Sequence, residues 1–546
     1  MSRTVDPITV EVIGNAVSSI VEEMGETLIR ASYSTNIKER RDCSTALFDA
    51  KGRTLAQAEH IPIHLGSFIG VIDAILERTD LSTVEDGDTF VGNDAYTGGG
   101  THLPDIVLAS PVFVDGEIAA WAVNLAHHAD FVDRAHAHIF QEGLRIPPVR
   151  LYRKGKLVDD IMSMILLNCQ VPRERLNDLR AQMAANRLGI ERFRALCGKF
   201  GRELVAAAGE ELLDYAERRM RAGIATIPDG TYHFEDRFDT HDVENELTLK
   251  LTLTVRGSDI HLDFRDNPPQ VRAGVNMVRT ALLATVYYAV KTVVDPDILP
   301  NAGLYRPIHV EGTPGTIVHA AEPAAVDGRM QASARIVDLV HGCLAQAVPE
   351  RVIAACNGAC IGAFFSGINP KTGSYYVYLE TIGGGFGARA TKDGLDGVHV
   401  HTTNTSNLPV EGLEPEYPLM VERYELVDDS GGVGRWRGGM GMRRKVRIEH
   451  DDCTVAVHHS RGLSSPWGLD GGGEGGRFSV RTAGRGGPLV RGDGIFQHGA
   501  TVEVVTPGSG GYGNPELRDP ELVRRDLADG KISAKTAQDV YGMTGG

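Results

Sequence analysis

Apolar residues recur at helical spacing at Ile13, Val17, Ile20, Val21, Met24 and Leu28, so residues 8–31 predict a helix with one buried stripe. Pro7, directly after Asp6, suits its first turn. The next segment, CSTALFDAKGRTLAQAE, predicts a hairpin turning at Asp49-Ala50-Lys51-Gly52. A short helix is expected over 67–76, and residues 88–127 read as β-rich. Residues 172–224 are helical, with Leu176, Leu179 and Met183 separated by lysines and arginines that predict a solvated outer face. Strands are expected over 231–265, helices over 278–294 and 332–347, short strands with glycine turns over 374–507, and a polar helix over 520–541. No repeat of fixed period occurs. The glycine-richest stretch, 468–487, reads as a surface loop.

This interleaving predicts an α+β fold: a mixed multi-layer architecture with an N-terminal metal-binding β-hairpin region, a central helical segment and a strand-rich C-terminal half. The expected divisions are 1–170 (α/β with the metal site), 171–230 (helical), 231–415 (α/β with a glycine-rich ETIGGGFGAR stretch) and 416–546 (β-rich, ending in a helix).

Composition narrows the class. The chain has 546 residues, among them 64 glycines and 25 prolines. Apolar content of 42% and charged content of 23% are those of a packed globular protein, and glycine has no three-residue period, so collagen and broad disorder are excluded. The formal charge of −16 (56 cationic against 72 anionic residues) makes nucleic acid and anionic membranes poor partners. No apolar run of about 18 residues predicts a spanning helix, and the start, MSRTVDPITVEV, lacks the features of a signal peptide. The seven cysteines are scattered, which fits free thiols in a reducing, cytoplasmic setting. Cys356 and Cys360 form a C-x3-C pair whose default reading is two buried thiols.

The most informative chemistry lies in GGGTHLPDIVLASPVFVDGEIAAWAVNLAHHAD. Asp115-Gly116 is a strong two-residue hairpin turn. With those two residues as the turn, paired positions sum to 231, which sets Asp105 opposite Ala126 and Pro104 opposite His127. His102, Asp105 and His127 then meet at the open end of one hairpin. Strict alternation puts Asp105 and His127 on opposite faces, but Pro104 interrupts the pleat there. Two imidazoles and a carboxylate suit Zn, Mn or Fe(II) with positions left open, and His128, Asp130, Asp133, His136 and His138 stand nearby to orient them. Histidines simply hydrogen-bonded at a sheet end satisfy the same spacing.

Weaker candidates surround this set. In IKERRD, Arg40 and Arg41 suit a carboxylate or phosphate, although a solvated charge run is the default reading. Asp42 follows. In AEHIPIHLGS, Glu59, His60 and His64 are candidates for acid–base work. The glycines of ETIGGGFGAR permit close backbone approach to a ligand or a tight turn. No G-x-x-x-x-G-K-[ST] loop, kinase signature set or G-x-S-x-G elbow occurs.

The stretches DPITVEVIGNAV, NIKERRDCSTALFDAKGRTLAQAEHIPIHLGS, GGTHLPDIVLASPVF, EGLRIPPVRLY, ETIGGGFGARATKDGLDGVHVHTTNTSNLPVE, YPLMVERYEL and PGSGGYGNP, from residue 6 to beyond 513, resemble the hydantoinase B/oxoprolinase family. The resemblance implies a B-type subunit of an ATP-dependent cyclic-amide hydrolase. Its substrates would be hydantoins, N-methylhydantoins, 5-oxoproline or other lactams, and ATP would be bound by a separate A-type ATPase subunit. The amide oxygen would be phosphorylated on that partner, and a divalent metal bound to the present chain would activate water against it. Carried over from acetone carboxylase, the metal ligands would be His102, Asp105 and His127. Asp42, Glu59, His60 or His64 would move the proton, and Arg41 would steady the phosphate. A ketone carboxylase subunit and a non-catalytic scaffold for the ATPase are the alternatives. A dimeric core within a hetero-oligomer is also implied. Two departures stand out: Ala95 where the family often has proline, and the unusual text DGRMQASAR at 327–335.

Overall fold

The structure is a computed structural model describing residues 5–58, 60–97, 100–128, 136–241, 243, 246–358, 360–486, 489 and 493–543. Helix α1 (Pro7–Ala31) starts where the sequence predicts: Asp6 caps it by accepting from the Ile8 and Thr9 amides, and Pro7 occupies the first turn. A four-residue helical turn α2 (Thr35–Lys38) follows. Strands β1 (Cys43–Asp49), β2 (Thr54–Gln57), β3 (Thr89–Gly92), β4 (Asp105–Val114), β5 (Glu117–His127), β6 (Val149–Arg153) and β7 (Lys156–Leu157) form a sheet of order β2-β1-β5-β4-β3-β6-β7. Against one face pack α1 and α3 (Pro172–Phe200), through Val17, Val21, Met24, Ala181 and Ala185 meeting Cys43, Leu47, Ala122 and Ala126. The opposite face packs Ala46, Phe48, Trp121 and Val123 against Phe68, Val71 and Ile75. The helix expected over 67–76 is two pieces, His64–Ser67 and Val71–Arg78, separated by Gly70 at φ +80°.

Helix α4 (Arg202–Ile224) leads into a second core. There β8 (Gly230–Phe238), β9 (Leu247–Arg256), β10 (Asp259–Asp263) and β11 (Ile308–Glu311) form a sheet packed against α5 (Arg279–Val294) and α6 (Met330–Leu344). Two further four-stranded sheets share a third core: β12 (Ile361–Ile368), β13 (Tyr375–Ile382), β16 (Cys453–His458) and β18 (Asp493–Phe496) in one, and β14 (Leu419–Leu426), β15 (Met442–Ile448), β17 (Ser479–Ala483) and β19 (Thr501–Val505) in the other. β12 precedes the region the sequence marks as strand-rich. The expected α+β class holds: helices and several small sheets, with no barrel among the described residues.

Two local expectations are corrected. The β4–β5 register sums to 231 only beside the turn, at Val114↔Glu117 and Phe113↔Ile118. Beyond it Ala119 is an extra residue on β5, a β-bulge, and the pairs run Val112↔Ala120 to Asp105↔His127. The bulge carries Asp105 one place along, directly opposite His127.

Nor is the 468–487 stretch simply a surface loop. Extended segments within 383–394, 431–441, 468–476 and 507–511 bond backbone to backbone, as in Gly385 N–H to Pro507 O (3.1 Å), Gly473 N–H to Val433 O (2.7 Å), Gly511 N–H to Gly473 O (2.9 Å) and Gly439 N–H to Phe386 O (3.2 Å). A Cβ on Gly385 would lie 2.1 Å from Gly439 O, on Gly508 1.7 Å from Ser430 O, and on Gly472 2.2 Å from Gly511 O. The close approach that glycine permits in ETIGGGFGAR is therefore to another stretch of main chain.

Gly508→Ala should cost about 3 kcal/mol or more, because main chain rather than a flexible side chain has to move. Gly198→Ala, in α3 with open space around it, should gain about 0.5–1 kcal/mol. Urea denaturation of both variants checks the pair; equal midpoints would contradict this packing.

Candidate active site

Directly paired residues of an antiparallel ladder put their side chains on one face. Asp105 and His127 therefore share a face at the end of the large sheet. Asp42, just before β1, extends the row: β1 pairs Cys43 with Ala126, and the His127 amide donates to the Asp42 carbonyl at 3.0 Å. His102 enters from the β3–β4 connection, its ring 4.8 Å from that of His127. Gly100, at φ +84°, makes the approach, and a Cβ there would stand 2.9 Å from the Asp105 Cβ. One ligand atom from each of His102, Asp105 and His127 lies within 4.8 Å of the others, and all three residues are buried.

The surroundings brace these groups. Asp105 Oδ2 accepts from Arg329 Nη2 at 3.1 Å and from Thr101 Oγ1 at 3.3 Å, and Thr101 in turn accepts from Arg329 Nε at 2.7 Å. Asp105 Oδ1 stands 3.2 Å from His102 Nε2, but both atoms lack hydrogen-bond geometry and a partner, as does His102 Nδ1. Burial raises the Asp105 carboxyl, but His102 and Arg329 overcome this and hold it well below its ordinary range. Burial, then neighbouring cations, keeps His102 and His127 neutral. A buried carboxylate oxygen and an imidazole left without partners beside a second neutral imidazole are the donor set of a divalent cation.

His127 is held by Asn36. Arg40 has only donors, so the Asn36 oxygen faces Arg40 Nη1 (2.6 Å), and the Asn36 amide nitrogen donates to His127 Nδ1 (3.1 Å) and to its carbonyl (3.3 Å). The ring thus carries its proton on Nε2, and ligation through Nε2 requires that proton to move to Nδ1 and the Asn36–His127 bond to break. His102 and Asp105 need no such change.

The other candidates scatter. Arg40 is buried and spent on Asn36, the Leu379 carbonyl and Thr381. Arg41 is exposed, at φ +57°. Burial pushes Asp42 up to about 7. The Ser44 hydroxyl gives its proton to the Cys43 carbonyl, so His64 Nδ1–H donates to Ser44 at 2.9 Å and the lone pair of His64 is on Nε2. Burial holds His64 down to about 4, and Asp105, Arg329 and His102 all act on it. His60 instead packs on Gly25 of α1 and borders a separate cavity with Gln57 and Tyr288. His128 turns away to Gln182. Glu59, Asp130 and Asp133 lie outside the described residues.

A cavity of about 80 Å³ opens onto His102 and His127, and three of its walls were not named by sequence reasoning: Arg329, Asp327 and Glu142. Glu142 Oε1 accepts from the Val326 amide (2.5 Å) and the Asp327 amide (3.1 Å), while the buried Oε2 has no partner. Burial and Asp327 push Glu142 well above its usual range, and Asp327 pairs with His136 at 3.1 Å. The signals were present: Glu142 opens EGLRIPPVRLY, and Asp327 and Arg329 open the unusual DGRMQASAR.

Residues 6–515 match the family model described as hydantoinase B/oxoprolinase. The chain belongs to the hydantoinase B/oxoprolinase family. It is 34% identical to a provisionally named B subunit of a D-/L-hydantoinase from Pseudomonas sp., over 99% of this chain and 96% of that one. It is 32% identical to the beta subunit of caprolactamase from Pseudomonas jessenii, over 99% and 96%. The crystal structure of the ATP-dependent caprolactamase from that organism superposes with TM-score 0.91 at 30% identity, covering 100% of this chain and 97% of that one. Acetone carboxylase in its nucleotide-free form shares the fold, with TM-score 0.90 at 19% identity over 99% and 80%.

The buried histidines of this family member set its acid limit. Burial holds His64 and His399 down to about 4 and His128, His341, His401 and His459 down to about 3. They stay neutral when folded and charge near 6.5 when unfolded, so their stabilisation is full above 6.5 and is lost as pH falls towards 4, by about 1.4 kcal/mol per unit for each. Asp42 and Asp338, raised to about 7 and about 8, act with the opposite sign but are outnumbered. Urea midpoints should fall steeply from pH 6.5 to 4.5; a flat profile would contradict these assignments.

Proposed function

We propose that this protein is the B-type subunit of an ATP-dependent cyclic-amide hydrolase, working with an A-type ATPase subunit in the cytoplasm. The observation that carries this reading is the buried His102–Asp105–His127 set, with the His102 nitrogens and one Asp105 oxygen left without hydrogen-bond partners, in a chain similar over its length to the beta subunit of caprolactamase. The substrate class is a hydantoin, 5-oxoproline or another lactam. Ring opening consumes one water, hydroxide going to the carbonyl carbon and a proton to the ring nitrogen, and a second water is consumed as ATP becomes ADP and phosphate.

His102, Asp105 and His127 would hold a divalent Zn, Mn or Fe ion, which supplies Lewis acidity and lowers the pKa of water. Around it this chain does the rest. Arg329 keeps Asp105 ionised and fixed. His64, neutral with its lone pair on Nε2, takes the proton from the attacking water, and Asp42, titrating near neutrality, is the second acceptor. Glu142, kept protonated beside Asp327, gives its proton to the departing nitrogen. Arg329, which lines the cavity, is better placed than the exposed Arg41 to steady anionic charge. The likeness to acetone carboxylase is one of fold, so ketone carboxylation enters as an outcome of the assay.

Purified complex should turn over a lactam or hydantoin with coupled ATP hydrolysis, and His102→Ala should lose its metal and at least a thousand-fold in turnover, on the order of 4 kcal/mol. Bicarbonate-dependent consumption of a ketone with no lactam opening would replace the hydrolase by a carboxylase. Full metal content in His102→Ala would sink the ligand assignment. Glu142→Gln keeps the acceptor for both amides yet cannot release a proton, so turnover should drop about a hundred-fold with the fold intact. Unchanged turnover would remove Glu142 from the reaction.

A further inference from the structure

A second buried cluster lies away from this cavity. Asp338 on α6, Cys356 and His401 each bring a ligand atom within 4.8 Å of the others, and all three residues are at most 4% exposed. Asp338 Oδ2 accepts from Arg461 Nη2 at 2.8 Å, and the same guanidinium nitrogen reaches Asp236 at 3.1 Å. Asp338 Oδ1 faces the other way. It accepts from the Cys356 thiol at 3.5 Å and from the Cys356 amide at 3.3 Å, and stands 3.7 Å from His401 Nε2. His401 Nε2 is buried without a hydrogen-bond partner, and its distance to Oδ1 is too long for one.

We infer that Asp338, Cys356 and His401 supply three ligands of a site for a thiophilic divalent cation such as Zn²⁺, distinct from the His102–Asp105–His127 set. The spacing fits. Tetrahedral zinc with ligand bonds of 2.0–2.3 Å has ligand–ligand edges of about 3.3–3.8 Å, and the sulfur–oxygen and nitrogen–oxygen distances here are 3.5 and 3.7 Å. Thiolate, imidazole and carboxylate are together the donors of zinc rather than of Mg²⁺ or Ca²⁺. Binding displaces the thiol proton and the proton on the Asp338 carboxyl, so that thiolate and carboxylate balance the dication, and it gives the orphaned His401 nitrogen its partner.

The position explains what the ion does. α6 begins with Met330 and Gln331, which line the active-site cavity, and Asp338 lies two turns further on. Cys360, four residues after Cys356, lines the same cavity. Next to His401, Thr402 accepts from Ser333 of α6 at 3.2 Å, and its carbonyl accepts from the Ile63 amide. One ion would tie together three segments that meet beneath the site. The C-x3-C pair is thereby split: Cys356 belongs to this cluster and Cys360 to the cavity.

The test uses the full chain produced in cobalt-supplemented medium, read by metal analysis and near-ultraviolet absorption. A thiolate-to-cobalt charge-transfer band is expected in the wild type. It should persist in His102→Ala and Cys360→Ser and vanish in Cys356→Ser with loss of one equivalent of metal. Failure of the hydrolase reading leaves this result untouched. A folded wild type with no thiolate band overturns the inference, as does a band that survives Cys356→Ser and disappears in Cys360→Ser.

Discussion

The site depends on one pairing, Asp105 opposite His127, and that pairing depends on one extra residue. Without the bulge at Ala119 the hairpin closes in the register its turn dictates, and Asp105 projects to the face away from His127. With it, Asp42, His127 and Asp105 line up across three neighbouring strands on the face that also receives His64 and His102. Such a row of polar groups under cover is costly unless each finds a partner. Arg329, Thr101, Asn36 and Ser44 meet part of that demand. What is left unmet, an oxygen of Asp105 and the nitrogens of His102, is what the proposed cation would satisfy.

The covering elements come from far along the chain, and backbone packing holds them. Arg40 on the N-terminal side grips Leu379 and Thr381 of β13. β13 runs straight into Gly383–Gly385, where main chain lies on main chain in the glycine-built layers of the C-terminal half. Side chains there would push the layers apart. The glycine excess is thus a packing device that fixes the strand whose side chains close the cavity. It is not spare room for a ligand.

This division also sets what the sequence made legible. The long helices and the Asp115-Gly116 hairpin follow from local periodicity, capping and turn chemistry, and they stand where those signals put them. His102, Asp105 and His127 were singled out because the turn brings the two strand ends together. Their common face comes not from the break expected at Pro104 but from an alanine bulge between Ile118 and Ala120, which has no mark in the residues. Arg329 was missed for another reason: 224 positions separate it from Asp105, and only the tertiary fold joins them. The glycine layers read locally as turns because their partners are likewise distant. The likeness to the caprolactamase beta subunit, 32% identity over nearly the whole length, is independent of these local signals.

The most direct measurement is anomalous diffraction from crystals of the metal-loaded protein, collected on either side of the absorption edge of the bound ion. A peak bonded to His102, Asp105 and His127 is expected, with the Asn36–His127 bond broken and Arg329 still on the second oxygen of Asp105. A metal-replete crystal with no peak there, His102 and Asp105 bonded to each other across a closed site, would contradict this assignment.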